Sequence, residues 1–232
     1  MNIVITGASK GLGKAIAKKF AAAGHTLFLC SRNGMDLYKL VEELLAEYPG
    51  CAVKAKPADM GIKDEVIEFA NWCLQHGAPG IVVNNAGQFI PGSVYNEEDG
   101  VLEKMMNVNL FSAYHLTRAL LPAMMQEKNG HIFNMCSIAS LKAYANGGAY
   151  SISKFALAGF SKNLREEMKP HNIKVTAIYP GAAYTDSWSG SGVDPNRIME
   201  ANDIAEMVYA CSLLSAQACV EDIVLRPQLG DL

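Results

Sequence analysis

Ile3-Val4-Ile5-Thr6-Gly7-Ala8-Ser9-Lys10-Gly11-Leu12-Gly13 is the stretch from which the fold can be read. A short apolar, β-branched run feeds directly into a glycine-rich turn. The segment after the turn puts Ile16, Ala17, Phe20 and Ala21 on one side of a helix, with Gly24 at its C-terminal end. Glycines at such a turn let the backbone approach a ligand closely, and the helix N-terminus behind them favours negative charge. The turn either simply joins strand to helix or cradles a pyrophosphate. Its spacing, Gly7-x-x-x-Gly11-x-Gly13, differs from the commoner dinucleotide fingerprint Gly-x-Gly-x-x-Gly.

The alternation continues along the chain. Thr26 to Cys30 is β-like, and Leu37, Leu40, Val41, Leu44, Leu45 and Tyr48 repeat as an amphipathic helix stopped by Pro49-Gly50. Ala52 to Ala58 alternates as a third strand, and Val66 to Leu74 follows as a helix. Gly80 to Val83 reads as a buried strand ending in Asn84-Asn85-Ala86-Gly87. A long helical stretch from about Glu98 to Lys128 carries Pro122, which predicts a kink or break there. Ile132, Phe133 and Met135 form a strand that ends at Ser137, and Ala149 to Lys169 has a helical period. Lys174 to Tyr179 is a strand closed by Pro180-Gly181, Ile204 to Leu214 a last helix, and Ile223 to Leu225 a last strand. Thr185 to Asn202, rich in Ser, Gly, Asp and Asn, reads as a long loop. Apolar strands alternating with helices predict an α/β chain with a parallel sheet covered on both faces, and 232 residues suit one domain. In such sheets ligands bind beyond the C-terminal strand ends, where Gly7 to Gly13, Ser31-Arg32, Asp59, Asn84 to Gly87, Ser137 and Pro180-Gly181 all fall.

Composition narrows the function classes. The net charge is -3 with no block of like charges, so bulk electrostatics favour neither nucleic acid nor an anionic membrane. The N-terminus lacks the basic and long apolar segments of a secretory signal, and no apolar run approaches the length of about 18 residues that a spanning helix needs. Six cysteines, none in a Cys-x-x-Cys pair, read as reduced thiols and point to the cytoplasm. The five histidines show no metal spacing, so no metal is expected.

Two further places carry chemistry. Tyr150 and Lys154 lie four apart, on one face of a helix, and of nine tyrosines only Tyr150 has a lysine four residues later. An ammonium beside a phenol favours its ionisation, and a hydroxyl such as that of Ser137 could hydrogen-bond a substrate oxygen as it gains charge. Tyr-x-x-x-Lys is also common on exposed helices, so the pair takes its meaning from the rest of the chain. At the end of the second strand a carboxylate would hold an adenosine ribose and repel a 2′-phosphate; the residues there are Cys30, Ser31 and Arg32. Arg32 and Lys10 supply two cations, which favours NADP(H) over NAD(H), with Asp36 a weak competitor in the next helix.

With these parts in place the chain closely resembles the short-chain dehydrogenase/reductase family, from Ile3 to the final strand. The resemblance implies a single Rossmann-type, doubly wound domain over residues 1–232, with the catalytic residues built in and a short substrate loop at about 185–202. It assigns catalysis to Asn109, Ser137, Tyr150 and Lys154, with Asn109 binding a water in a proton relay. It assigns cofactor binding to Gly7, Ser9, Lys10, Gly11, Leu12, Gly13, Ser31, Arg32, Asp59, Met60, Asn85, Ala86 and Gly87. Pro180, Gly181, Ala183 and Thr185, with Tyr150 and Lys154, complete that set. The implied reaction is NADP(H)-dependent hydride transfer to and from a small carbonyl compound. The alternatives are a reductase of 3-oxoacyl chains on acyl-carrier protein, for which Gln126 to Asn129 and His171 are only weakly basic, and a non-catalytic NADP(H)-binding redox sensor. Cys136 departs from the family, many of whose members carry a second serine there. Phe89, Leu141, Tyr144, Tyr184 and Trp188 either line the substrate pocket or pack the core. A homodimer or homotetramer is also implied by the resemblance; Leu110, Phe111, Tyr114, Phe155, Leu157 and Phe160 either supply its apolar face or pack the sheet.

Overall fold

Apolar runs too short for helices pair as strands, and the periodic segments between them cover both faces of the resulting sheet. The computed structural model describes residues 1–185 and 192–231. Its main sheet contains β1 (Asn2–Thr6), β2 (Thr26–Cys30), β3 (Ala52–Ala55), β4 (Ile81–Asn84), β5 (Gly130–Met135), β6 (Ile173–Pro180) and, after the small pair described below, β9 (Asp222–Leu225). The order is β3-β2-β1-β4-β5-β6-β9, with every neighbouring pair parallel. The direction of winding reverses between β1 and β4, and this opens a crevice beyond their C-terminal ends.

The helices are α1 (Gly11–Ala22), α2 (Gly34–Glu47), α3 (Lys63–Leu74), α4 (Val101–Met106), α5 (Ser112–Glu127), α6 (Gly148–Met168) and α7 (Ala201–Ser212). Alternate strand residues feed two separate cores. Ile3, Ile5, Leu27 and Leu29 pack against Ile16 and Phe20 of α1, Leu37 and Leu40 of α2, and Ile204 and Val208 of α7. Val4, Phe28, Val82, Ile132 and Val175 face the other way, against Phe69 of α3, Leu116 and Leu120 of α5, and Leu164 of α6. This is the predicted doubly wound single domain. Among the described residues no helix is long and apolar enough to cross a membrane.

Three expectations need correction. The third strand ends at Ala55, not Ala58: Lys56 and Ala58 still donate to the carbonyls of Leu29 and Ser31, but Pro57 between them ends regular pairing. Pro122 does not break its helix, because it lies on the exposed side of α5, where water can satisfy the Arg118 carbonyl it leaves unbonded. The irregularity lies earlier, in a π-helical turn at Asn107–Phe111 that joins α4 to α5. The predicted loop at about 185–202 also contains regular structure among its described residues. β8 (Met199–Glu200) pairs in parallel with β7 (Ala183–Tyr184), a 3-10 turn spans Pro195–Arg197, and α7 begins at Ala201.

Candidate active site

The crevice is a cleft of about 470 Å³ at the C-terminal ends of β1, β2 and β4. Gly7, Ser9, Lys10, Gly11, Leu12, Ser31, Arg32, Asp59, Met60, Asn85, Ala86, Gly87 and Thr185 line it, as expected from the sequence, together with Gln88, Phe89 and Val108. Gly7 and Gly11 take φ values of 62° and 55°, which only glycine adopts without strain. A Cβ on Gly11 would stand 3.3 Å from the Thr185 side chain, a tighter contact than side chains usually make. Lys10, at the N-cap of α1, makes no side-chain capping bond, leaving the helix N-terminus open toward the cleft. A pyrophosphate fits that arrangement of bare glycine backbone and uncapped helix.

The 2′-phosphate side fits as well. Ser9 Oγ and Ser31 Oγ share a hydrogen bond of 2.8 Å, and the exposed Lys10 and Arg32 stand beside them without an ion pair among the described residues. Asp36, the weak competitor, is not among the residues lining the cleft; its Oδ2 accepts a 2.8 Å hydrogen bond from Asn33 Nδ2 at the start of α2. Asp59 uses Oδ1 to accept the Gly61 N–H at 2.8 Å, which braces its own loop.

Thr6 holds the opposite wall in place. Its Oγ1 accepts the N–H groups of Asn85 (3.0 Å) and Ala86 (2.9 Å), and Asn85 Nδ2 donates to the Thr6 carbonyl at 2.9 Å. Gly13 belongs to this bracing and does not line the cleft. A Cβ there would collide with the Gly7 carbonyl oxygen and lie 2.6 Å from Asn85 Nδ2. Pro180, Gly181 and Ala183 also stand outside the cleft lining, at the end of β6, where the Gly181 N–H donates to the Leu225 carbonyl at 2.7 Å.

The remaining predicted groups converge where Gly87 leaves the cleft. A Cβ on Gly87 would stand 3.4 Å from Asn109 Oδ1 and 3.5 Å from Lys154 Nζ. Asn109 sits in the π-helical turn with both of its amide N–H groups used. Nδ2 donates to the Gln88 carbonyl (3.0 Å) and Ser153 Oγ (2.9 Å), and Oδ1 accepts the Gln88 N–H (2.7 Å). Ser137 follows β5, and its Oγ accepts the Ala139 N–H at 3.1 Å in the cap of a short 3-10 turn. Lys154 is 5% exposed; its Nζ donates to the Met135 carbonyl at 2.7 Å and lies 5.8 Å from the centre of the Tyr150 ring.

Burial governs the charges. It pushes the Lys154 ammonium down to about 8, because a charged amine loses its hydration there. Burial also raises the Tyr150 phenol above its ordinary value; the Ser137 hydroxyl opposes the rise and the Cys136 sulfur adds to it. The Lys154 Nζ, turned to the Met135 carbonyl, still lies over the Tyr150 ring, where an ammonium favours phenolate when it is charged. Cys136 is pushed up to about 11 by burial and is an inert thiol.

Of the pocket candidates, Phe89 meets Tyr150 edge-on with ring centres 4.9 Å apart, and the Tyr144 phenol is pushed up to about 12 by burial, with the nearby Tyr150 adding to the rise. Phe89, Tyr144, Leu141 and Tyr184 are all exposed, which removes the core-packing alternative. Trp188 lies outside the described residues. Sequence reasoning missed Gln88, Ser153 and Glu97, which orient the site through bonds to residues 21, 44 and 52 positions away. No local pattern marks them.

A family model described as short chain dehydrogenase matches residues 1–194. The sepiapterin reductase of Chlorobaculum tepidum is 35% identical over 241 aligned positions, covering 99% of this chain and 97% of that protein. Among solved structures, a metagenomic short-chain oxidoreductase in complex with NADP superposes with a TM-score of 0.85 at 30% identity, over 98% of this chain and 97% of that one. The alcohol dehydrogenase of Thermococcus sibiricus, complexed with 5-hydroxy-NADP, gives 0.90 at 28% identity, over 98% and 96%.

Proposed function

Because this chain belongs to the short-chain dehydrogenase family, we propose that it interconverts a small carbonyl compound and its alcohol with NADP(H), Tyr150 handling the proton. One observation carries the reading: Asn109, Tyr150 and Lys154 adjoin the end of a cleft whose other rim bears Lys10 and Arg32 beside the Ser9–Ser31 pair. NADPH, when bound, supplies the hydride. Lys10 and Arg32 hold the 2′-phosphate, and the open turn before α1 takes the pyrophosphate. Tyr150 gives its proton to the carbonyl oxygen; a phenol is protonated at neutral pH, and burial favours that form further. Ser137 hydrogen-bonds that oxygen, Lys154 holds the nicotinamide ribose, and Asn109 seats a relay water.

The site and the sheet form one NADP(H)-binding domain. Its six free thiols, five of them buried, suit the reducing cytoplasm. We place a homo-oligomeric contact on the outer face of α6 and the π-helical turn, where Phe155 is 46% and Phe111 41% exposed. Leu157, expected on that face, is 1% exposed and packs inward against Ala177 and Tyr179.

The test is NADPH oxidation over a panel of sepiapterin, a diketone, simple aldehydes, a ketose and a β-ketoacyl thioester. Tyr150→Phe should lower turnover of the best substrate by about 10²- to 10⁴-fold. Activity that survives this change removes the mechanism, and a preference for NADH removes the cofactor assignment.

A further inference from the structure

We propose that Glu97 is a positioning residue for Tyr150: its carboxylate caps α6 from outside and fixes where the phenol stands. α6 begins at Gly148, and Gly147 at its N-cap has no side chain to accept the first amides. The acceptor comes instead from the loop between β4 and α4. Glu97 Oε2 lies 3.2 Å from the N–H of Ala149, the residue before Tyr150. A carboxylate in that place satisfies an orphan donor and meets the positive end of the helix dipole.

The loop is clasped to α6 at several points. Gly92 N–H donates to the Asn146 carbonyl at 3.2 Å, and Ser93 Oγ to Asn146 Oδ1 at 2.9 Å. So close an approach requires glycine at Gly148, whose φ is +24°. A Cβ there would stand 2.5 Å from the Gly92 carbonyl oxygen and 2.7 Å from Glu97 Oε2. The start of the same loop grips the other side of the site, where Gln88 bonds both ends of the Asn109 amide and Phe89 packs edge-on against Tyr150. The stretch from Gln88 to Glu97 thus borders the cofactor cleft, orders Asn109, touches the phenol ring and ends on the helix that carries it. Glu97 itself meets none of the reacting atoms. Its role rests on the reading of Tyr150 as proton donor.

Glu97→Ala removes the acceptor, whereas Glu97→Gln keeps an oxygen for the Ala149 N–H without the charge. The first readout needs no substrate. In protein carrying tyrosine labelled at Cζ with carbon-13, the Tyr150 resonance is the one that vanishes in Tyr150→Phe. Glu97→Ala should move it in the ligand-free protein, and Glu97→Gln should return it to the wild-type position. With the best panel substrate, Glu97→Ala should lower kcat about tenfold while the Kd of NADPH, from its fluorescence, stays within about twofold; Glu97→Gln should recover most of the loss. An unmoved Tyr150 resonance in Glu97→Ala overturns the proposal, as does a Gln variant no better than Ala. If the wild type turns over nothing on the panel, the functional reading fails, yet the resonance still decides whether Glu97 positions Tyr150.

Discussion

Lys154 is held by a single carbonyl, that of Met135, and has no ion-pair partner among the described residues. Its ammonium is therefore expensive to keep charged in the ligand-free protein. Its folded-state pKa of about 8 lies below the ordinary 10.5, so the unfolded chain binds the proton more tightly between these values. The stabilising contribution of neutral Lys154 is full above pH 10.5 and is lost as pH falls through about 8. Relative to Lys154→Met, the wild type should gain on the order of 3 kcal/mol between those limits, read from urea unfolding at each pH. An unchanged gap between the two proteins would mean that Lys154 titrates alike in the folded and unfolded chain. The same depressed value suits a group that waits for hydroxyl partners, since binding them makes the charge less costly.

At the scale of elements, the turn from β1 into α1 carries two demands on glycine that differ in kind. Gly7 and Gly11 need positive φ beside the cleft, whereas Gly13 needs empty space, because its Cα packs against the Gly7 carbonyl and the Asn85 amide. Gly13→Ala should therefore lower unfolding free energy by about 2–4 kcal/mol, measured by urea denaturation, because the obstruction is backbone and cannot swing aside. Stability within error of wild type would show that α1 can shift outward instead. The sequence made this turn legible because strand, glycines and helix are contiguous, and the two-residue and 3.6-residue periods marked most other elements for the same reason. Asn109, Ser137, Tyr150 and Lys154 were legible through their resemblance to a family pattern. What stayed hidden depends on partners far along the chain. The ladder of β7 on β8 joins Ala183 to Met199, the Glu97 cap reaches Ala149, and the π-helical turn is stitched by Asn109 to Gln88 and Ser153. Pro122 misled because sequence shows that a helix contains proline, but not that its freed carbonyl faces water.

At the scale of the whole molecule, the outer face of α6 is where the proposed contact between copies falls. Phe155 and Ile152 are exposed there, beside Phe111 of the π-helical turn, while Leu157 on the opposite side closes the core. These exposed apolar side chains are the ground for proposing that face. Phe155→Glu should shift the protein to monomers in sedimentation velocity without lowering its thermal midpoint as a folded monomer. Unchanged sedimentation would move the contact to another face.

On the ribosome this sheet cannot close in the order in which it is made. β2 and β3 can join β1 as they emerge, but the other edge of β1 stays bare until β4 appears, since Ile3 pairs with Ile81. The far rim waits longer still, for β9 to reach β6 through the pairing of Ala177 with Asp222. Parallel pairing across such separations is slow, and an unpaired apolar edge invites another nascent chain. β1 thus keeps one open edge until Ile81 is made, and β6, whose neighbour β9 comes last, is the last strand to be enclosed.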